Sequence, residues 1–87
     1  MPIQRARQAN LCALVDKLRA AGVSTVTAQV RVLGPSVTEA RLHRMMSGSA
    51  MPLLTARSIE HRLGKPKGWM DTANDDVGDV IPVDTRH

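Results

Sequence analysis

The apolar residues near the start of the chain recur at helical spacing. Leu11, Leu14 and Leu18 fall three or four positions apart, with charged residues between them. This spacing predicts a first helix over residues 8–21. Gly22 is placed to end it in the left-handed conformation that glycine adopts at low cost.

The stretch from residue 23 to residue 33 fits either a helix or a strand. Its apolar side chains repeat with the period of a helix face, between a polar cap and a Gly-Pro stop. The helical positions are Val26, Val30 and Leu33, with Ser24 or Thr25 as the cap and Gly34-Pro35 as the end. The same stretch also alternates β-branched with polar residues, as a strand does.

The two interpretations imply different DNA-binding folds. A helix belongs to an all-α domain, whereas a strand would make a ribbon-helix-helix protein. In that alternative Thr27, Gln29 and Arg31 enter the major groove from a two-stranded ribbon formed by a dimer. The helix is preferred, because a helix ahead of the ribbon strand is unusual for that fold.

A capping box predicts a third helix. Ser36 can accept a hydrogen bond from the third backbone amide while Glu39 reaches back to the cap. The helix then runs to about Ser47 and ends at Gly48. At about 100° per residue, its inward side is formed by Leu42, Met45 and Met46.

The opposite side of this third helix combines small side chains with arginine. It is formed by Val37, Ala40, Arg41 and Arg44. Small groups let a helix approach the major groove and contact thymine methyls, while arginine donates to guanine edges or phosphates. An ordinary amphipathic helix with arginine on its solvated face is the alternative.

A fourth helix is predicted between Pro52, which suits a first helical turn, and Gly64. Its inner stripe is formed by Ala56, Ile59 and Leu63. Beyond it, Trp69 is expected to cover the end of the helical core with its ring.

The charge is divided unevenly along the chain. Residues 1–70 hold eleven Lys and Arg against three acidic residues, a balance of +8, whereas residues 71–87 hold one Arg against five Asp, a balance of −4. A basic body suits phosphate binding, although a solvated charged surface is the alternative. We therefore predict a basic domain, residues 1–71, and an acidic tail, residues 72–87, that is flexible or associated with a dimer partner.

Composition narrows the partner and the compartment. Trp69 is the sole aromatic residue, whereas readers of RNA and single strands stack bases on several aromatic side chains. Duplex DNA is therefore the expected partner. The chain starts without the apolar block of a secretory signal or membrane span, so we expect a cytoplasmic protein that does not contact membranes.

The sequence offers no constellation for catalysis. Its three histidines and Cys12 lack metal-ligand spacing, and no glycine loop is present that could cradle a phosphate. Cys12 is expected to be a small buried residue on a helix. We therefore expect no enzyme activity, metal or cofactor.

Residues 56–71 read Ala-Arg-Ser-Ile-Glu-His-Arg-Leu-Gly-Lys-Pro-Lys-Gly-Trp-Met-Asp. This stretch resembles the closing part of phage-repressor-like helix-turn-helix domains, where Ala-Arg-x-Ile-Glu-x-x-Leu-Gly is followed by Pro-x-Gly-Trp-Leu/Met-Asp. The similarity covers about residues 8–71 and implies a compact all-α bundle of four to five helices, as in the lambda repressor and Cro. In such domains the second helix of the motif lies in the major groove, and the preceding helix crosses the backbone.

The resemblance also implies a set of DNA-binding residues. Arg41 and Arg44 would contact bases or adjacent phosphates, and other side chains would position the protein on the backbone. The full set is Gln29, Arg31, Val37, Thr38, Ala40, Arg41 and Arg44. The turn over residues 34–38 is about two residues longer than the family's, so Thr38 is an alternative to Ser36 as the helix cap.

The implied function is that of a phage-type repressor, which binds a palindromic operator in double-stranded DNA as a homodimer and regulates transcription. The alternative is a protein-interaction module that uses the same fold to bind a host protein, as a phage-encoded inhibitor or an antitoxin-like partner. The acidic tail keeps that alternative open, because its aspartates could dock on a basic partner or fold back over the protein's own DNA face.

Overall fold

Polar caps and glycine stops divide residues 3–72, which this computed structural model describes, into four α-helices and one 3₁₀ turn. None of these helices is both long enough and apolar enough to cross a bilayer. The elements are α1 (Ile3–Ala20), α2 (Val26–Leu33), α3 (Glu39–Met46), α4 (Leu53–Leu63) and the 3₁₀ turn Trp69–Asp71. The predicted all-α fold is confirmed for this part of the chain.

The ambiguous segment is helical. It forms α2, and no strand occurs within residues 3–72, so the ribbon-helix-helix alternative is wrong. Thr25 is the cap, because its Oγ1 accepts a hydrogen bond from the Ala28 backbone amide at 3.2 Å. Gly34 ends the helix with φ at +108°, a conformation that strains any residue with a Cβ.

The first helix begins at Ile3 and not at residue 8 as predicted. Its added residues are held by the chain that leads into α4. The Gln4 side chain donates to the Met51 carbonyl at 3.1 Å and accepts from the Met51 amide at 2.7 Å. Arg7 Nη1 donates to the same carbonyl at 2.9 Å, so hydrogen bonds tie this end of α1 to that segment, beside the buried Ala6.

The core lies where α1 packs against α3 and the 3₁₀ turn, while α2 packs against both α3 and α4. The predicted inner stripes of α1 and α4 are buried, as are Leu42 and Met45 of α3, whereas Met46 is only partly buried. The buried core side chains include Leu11, Leu14, Leu18, Leu33, Leu42, Met45, Ala56, Ile59, Leu63 and Met70. This burial orients α3 by fixing which of its sides faces inward.

The 3₁₀ turn closes one end of the core. Trp69 is half-buried against it, as predicted, with the Lys65 ammonium 5.0 Å from the ring centroid. The Asn10 side-chain amide lies within hydrogen-bond distance of three backbone carbonyls, those of Trp69 (3.3 Å), Met70 (2.9 Å) and Thr72 (2.8 Å). One buried amide on α1 therefore holds the segment that follows α4.

Residues 73–87, which make up most of the predicted acidic tail, lie outside the described residues. The prediction that the tail is flexible or associated with a dimer partner therefore stays a prediction.

Candidate nucleic-acid interface

Thr38 fixes where α3 begins. Its backbone is extended, and its Oγ1 accepts a hydrogen bond from the Arg41 amide at 3.1 Å. The predicted capping box on Ser36 is wrong, because the Ser36 hydroxyl is buried without a hydrogen-bond partner. Glu39 instead accepts from the Thr27 hydroxyl at 3.1 Å, which ties the start of α3 to α2.

The outward side of α3 carries the two predicted arginines. Arg41 and Arg44 are exposed one turn apart, as is Ala40 beside them, whereas Leu42 and Met45 on the inward side are almost fully buried. A helix anchored in this way presents a narrow basic strip with a small residue in it. Four of the predicted contacts, Thr38, Ala40, Arg41 and Arg44, therefore lie together on one accessible surface.

Val37 and Gln29 do not belong to that surface. Val37 precedes α3 and is only 4% exposed in the core, so its assignment to the groove-facing side is a wrong prediction. Gln29 is 2% exposed, and its side-chain amide donates to the Val23 carbonyl at 3.1 Å, so its role as a backbone-positioning contact is also not available in this conformation. Both side chains stabilise the turn regions that flank α2.

Arg31 is exposed, but it belongs to α2 and not to the α3 strip. Its backbone carbonyl accepts a hydrogen bond from Arg62 Nη2 at 3.3 Å. This contact joins the end of α2 to α4 and leaves the Arg31 side chain on the surface.

A depression beside α3 extends the basic strip to residues that the sequence analysis missed. It has a volume of about 200 Å³ and is lined by Arg41, Arg44, Met45, Ser49, Ala50 and Pro52. Pro52, the residue before α4, provides no side-chain cap for this helix. Two guanidinium groups that line one depression can attract a phosphate group. The signal in the sequence for these added residues was the turn that follows α3, between Gly48 and Pro52.

A second group of charged residues has a structural role instead. Asp71 accepts from Arg7 Nε at 2.6 Å and from Arg57 Nη2 at 2.5 Å, and Arg57 Nη1 also donates to Glu60. The Arg7 hydrogen bond, with that of Arg57, lowers the pKa of Asp71 against the opposing effect of burial. The hydrogen bonds to Glu60 and Asp71 raise the pKa of Arg57. These arginines are engaged inside the protein and are not part of the α3 strip.

Cys12 is half-buried on α1, with Sγ 3.9 Å from the Met46 carbonyl oxygen. Burial, and secondarily the Asp16 charge, raises its pKa, which lowers the fraction of reactive thiolate. Within residues 3–72, no three or more His, Cys, Asp and Glu side chains are grouped so that they could hold a metal ion.

Comparison with protein-family models found no match, and neither the curated proteins nor the solved structures gave a significant match.

Proposed function

We propose that this chain is a sequence-specific double-stranded DNA-binding protein of the helix-turn-helix kind, a transcriptional repressor that acts by occupying an operator and not by catalysis. The observation that carries the proposal is the exposed strip on α3, where Arg41 and Arg44 lie beside the small residue Ala40 while Leu42 and Met45 anchor the helix. In this role α3 enters the major groove and α2 lies across the backbone.

The start of α3 supports this use. Base contacts in such motifs come from the N-terminal part of the recognition helix. Thr38 caps that part, and the Thr27–Glu39 hydrogen bond holds it against α2, so Arg41 is presented from a fixed helix end. Exposed Ala40 allows the backbone to approach base edges closely.

The depression beside α3 supplies the second kind of contact that a DNA reader needs. A phosphate seated there would be attracted by Arg44, which lines the depression. Phosphate contacts fix the register of a protein on DNA, and base contacts specify the sequence. The two adjacent features therefore provide positioning and readout from one face.

We propose a homodimer on a palindromic site, because the strip of one α3 is short. Two half-sites one helical turn apart multiply the affinity of each. The start of α4 offers apolar surface for a contact with another protein, since Leu53 and Leu54 are 55% and 82% exposed. The same two leucines favour the second candidate function, binding of a host protein through an apolar patch.

The test is selection of duplexes from a random library, followed by fluorescence anisotropy with the selected and a scrambled duplex at two salt concentrations. We expect a preference of about 10³ or more for the selected duplex and a steep fall in affinity with salt. The variant R41Q/R44Q should lose the preference. Its matched control is K17Q/R19Q, which removes the same charge from exposed positions on α1 and should keep the preference.

Equal, weak binding to both duplexes would contradict the proposal. Tight capture of one protein from a bacterial lysate by the same chain, lost in the variant L53E/L54E, would then favour the host-protein function.

A further inference from the structure

A side chain of α1 holds the C-terminal end of α3. Gln8 Nε2 donates to the Met46 carbonyl at 2.9 Å, a partly buried hydrogen bond between residues 38 positions apart in the chain. Cys12, one turn further along α1, places its Sγ 3.9 Å from the same carbonyl oxygen. The helix α1 therefore holds the end of a helix that belongs to the proposed DNA-binding surface, although α1 is not part of that surface.

The hydrogen bond from Gln8 is not what ends α3. The backbone amides of residues 47–49 close the turn after this helix by donating to the carbonyls of residues 43–45 at 2.9 to 3.3 Å. The last carbonyls of a helix have no partner within it, and the carbonyl of Met46 is bound from α1. The Gln8 bond therefore fixes where the end of α3 lies on the domain.

Arg44 belongs to the end of α3 that is held in this way. Its backbone carbonyl accepts from the Ser49 amide at 2.9 Å, and both residues line the depression beside α3. A Cβ added at Gly48 would lie 3.7 Å from Gln8 Nε2, so the Gln8 amide lies close to the turn between α3 and Ser49. A shift of this turn would move Arg44 relative to the rest of the domain.

The other end of α3 is also tied to a neighbouring helix. There the Thr27 hydroxyl donates to Glu39, but that hydrogen bond is exposed, whereas the bond from Gln8 is partly buried. A hydrogen bond shielded from water is electrostatically stronger than one in solvent. Of these two tertiary hydrogen bonds, we therefore expect that of Gln8 to restrain α3 more strongly.

We propose that Gln8 is a positioning residue for DNA binding, which holds the end of α3 so that Arg44 reaches the DNA backbone. This inference rests on the proposed function, because it concerns the contact of Arg44 with a phosphate. A hydrogen bond between a guanidinium and a phosphate requires a nitrogen–oxygen distance near 3 Å, so a displacement of about 1 Å would break it. Gln8 thus acts on DNA through Arg44 and does not touch DNA itself.

The experiment measures the affinity of Gln8→Met for the selected duplex by fluorescence anisotropy at two salt concentrations. Methionine is similar in length to glutamine but has no donor. Q8M should weaken binding by about three- to tenfold, the range expected for one hydrogen bond. It should also reduce the salt slope by up to about 1, as the loss of a phosphate contact does. The matched control is A9M, which places the same side chain at the neighbouring exposed position of α1 and should bind like the parent protein.

A double-mutant cycle distinguishes positioning of Arg44 from a general loss of stability. In an R44A background, Q8M should weaken binding by less than about twofold, because the contact that Gln8 positions is already lost. In an R19A background, Q8M should cause its full loss. Thermal unfolding of every variant confirms that folded proteins are compared. If Q8M does not fold, Gln8→Asn, which keeps the amide but is one methylene shorter, replaces it with the same expected losses.

Equal losses from Q8M in the R44A and R19A backgrounds, or no loss in either, would overturn the role of Gln8 while the parent protein still prefers the selected duplex. A parent protein that binds the selected and scrambled duplexes equally would instead overturn the proposed function, and this inference with it. The behaviour of the parent protein alone therefore distinguishes the two failures.

Discussion

Arg7 on α1 and Asp71 in the 3₁₀ turn, sixty-four residues apart, form an ion pair with Nε and Oδ1 2.6 Å from each other. Arg7 is only 6% exposed, and its Nη1 also donates to the Met51 carbonyl. A single guanidinium therefore joins α1, the segment that leads into α4 and the 3₁₀ turn. Because a buried charge without a partner is costly, the fold depends on both members of the pair.

Replacing Asp71 by Asn should destabilise the domain by about 2–3 kcal/mol at neutral pH, because it leaves Arg7 without its carboxylate. The pKa of Asp71 is lowered in the folded state by Arg7 and Arg57. Its contribution to stability is therefore present above the unfolded pKa of about 3.9 and is lost as the pH falls through the folded value. Urea unfolding measured from pH 7 down to acid pH should show the free energies of unfolding of the parent protein and D71N converging below about pH 4.

The matched control for that experiment is Asp16→Asn. Asp16 also pairs with an arginine, Arg19, but at 3.6 Å and with both side chains more than half exposed. Exposed pairs contribute about 0–1 kcal/mol, so this variant should unfold close to the parent protein. Equal effects of D16N and D71N would contradict the role assigned to the Arg7–Asp71 pair.

Thr38 and Ser36 give a second matched pair, since both are candidate caps for α3. Thr38→Ala should cost about 1 kcal/mol, because the Arg41 amide loses its side-chain acceptor. Ser36→Ala should be neutral or stabilising, because the buried Ser36 hydroxyl has no hydrogen-bond partner to lose. Urea unfolding of both variants measures the difference. A larger loss from S36A than from T38A would show that the helix starts at Ser36.

The elements with local signals could be predicted from the sequence. Pro52 and Gly64 bound α4 as expected, with Gly64 in the left-handed conformation. The choice between helix and strand for α2 could not be made locally, because it depends on tertiary packing. Gln29 illustrates this: its burial against Val23 exists only once α2 is packed as a helix.

Only the part of the candidate site that depends on local helical spacing could be predicted from the sequence. Arg41 and Arg44 lie on the exposed side of α3, as predicted. The apolar residues Leu42 and Met45 mark the inward side whether the helix is capped by Ser36 or by Thr38. Val37 was misplaced because the predicted helix began two residues too early. Val37 in fact precedes α3, so the helical spacing does not determine where its side chain lies. The pairing of Arg7 with Asp71 was missed because its two members are distant in sequence and no local period connects them.

Variants at Val37 and Ala40 distinguish a residue needed for folding from a residue at the proposed DNA-binding surface. Val37→Ala should destabilise the domain by about 1–3 kcal/mol, because it removes buried apolar volume, and should leave the affinity of the folded protein for a selected duplex nearly unchanged. Ala40→Glu should leave stability within about 0.5 kcal/mol, since the position is exposed, and should weaken DNA binding by adding a negative charge to the strip. Thermal unfolding and anisotropy on the same samples distinguish the two. Loss of DNA affinity in folded V37A with none in A40E would place the contact surface elsewhere.

Single replacements of Arg41 and Arg44 should have different effects on DNA binding, because Arg41 lies nearer the N-terminus of α3 and Arg44 nearer its C-terminus. Arg41→Ala should cost about 1–3 kcal/mol on the selected duplex and relax the preference at one base position. Arg44→Ala should weaken binding to selected and scrambled duplexes alike and reduce the salt slope by about 1, as the loss of one phosphate contact does. Arg19→Ala on α1 is the control for charge alone, and anisotropy across single-base variants of the duplex provides the measurement. If R41A weakened all duplexes equally while R44A relaxed one position, the register of α3 in the groove would be reversed from that proposed. If neither differed from R19A, the α3 strip would not be the DNA-binding surface.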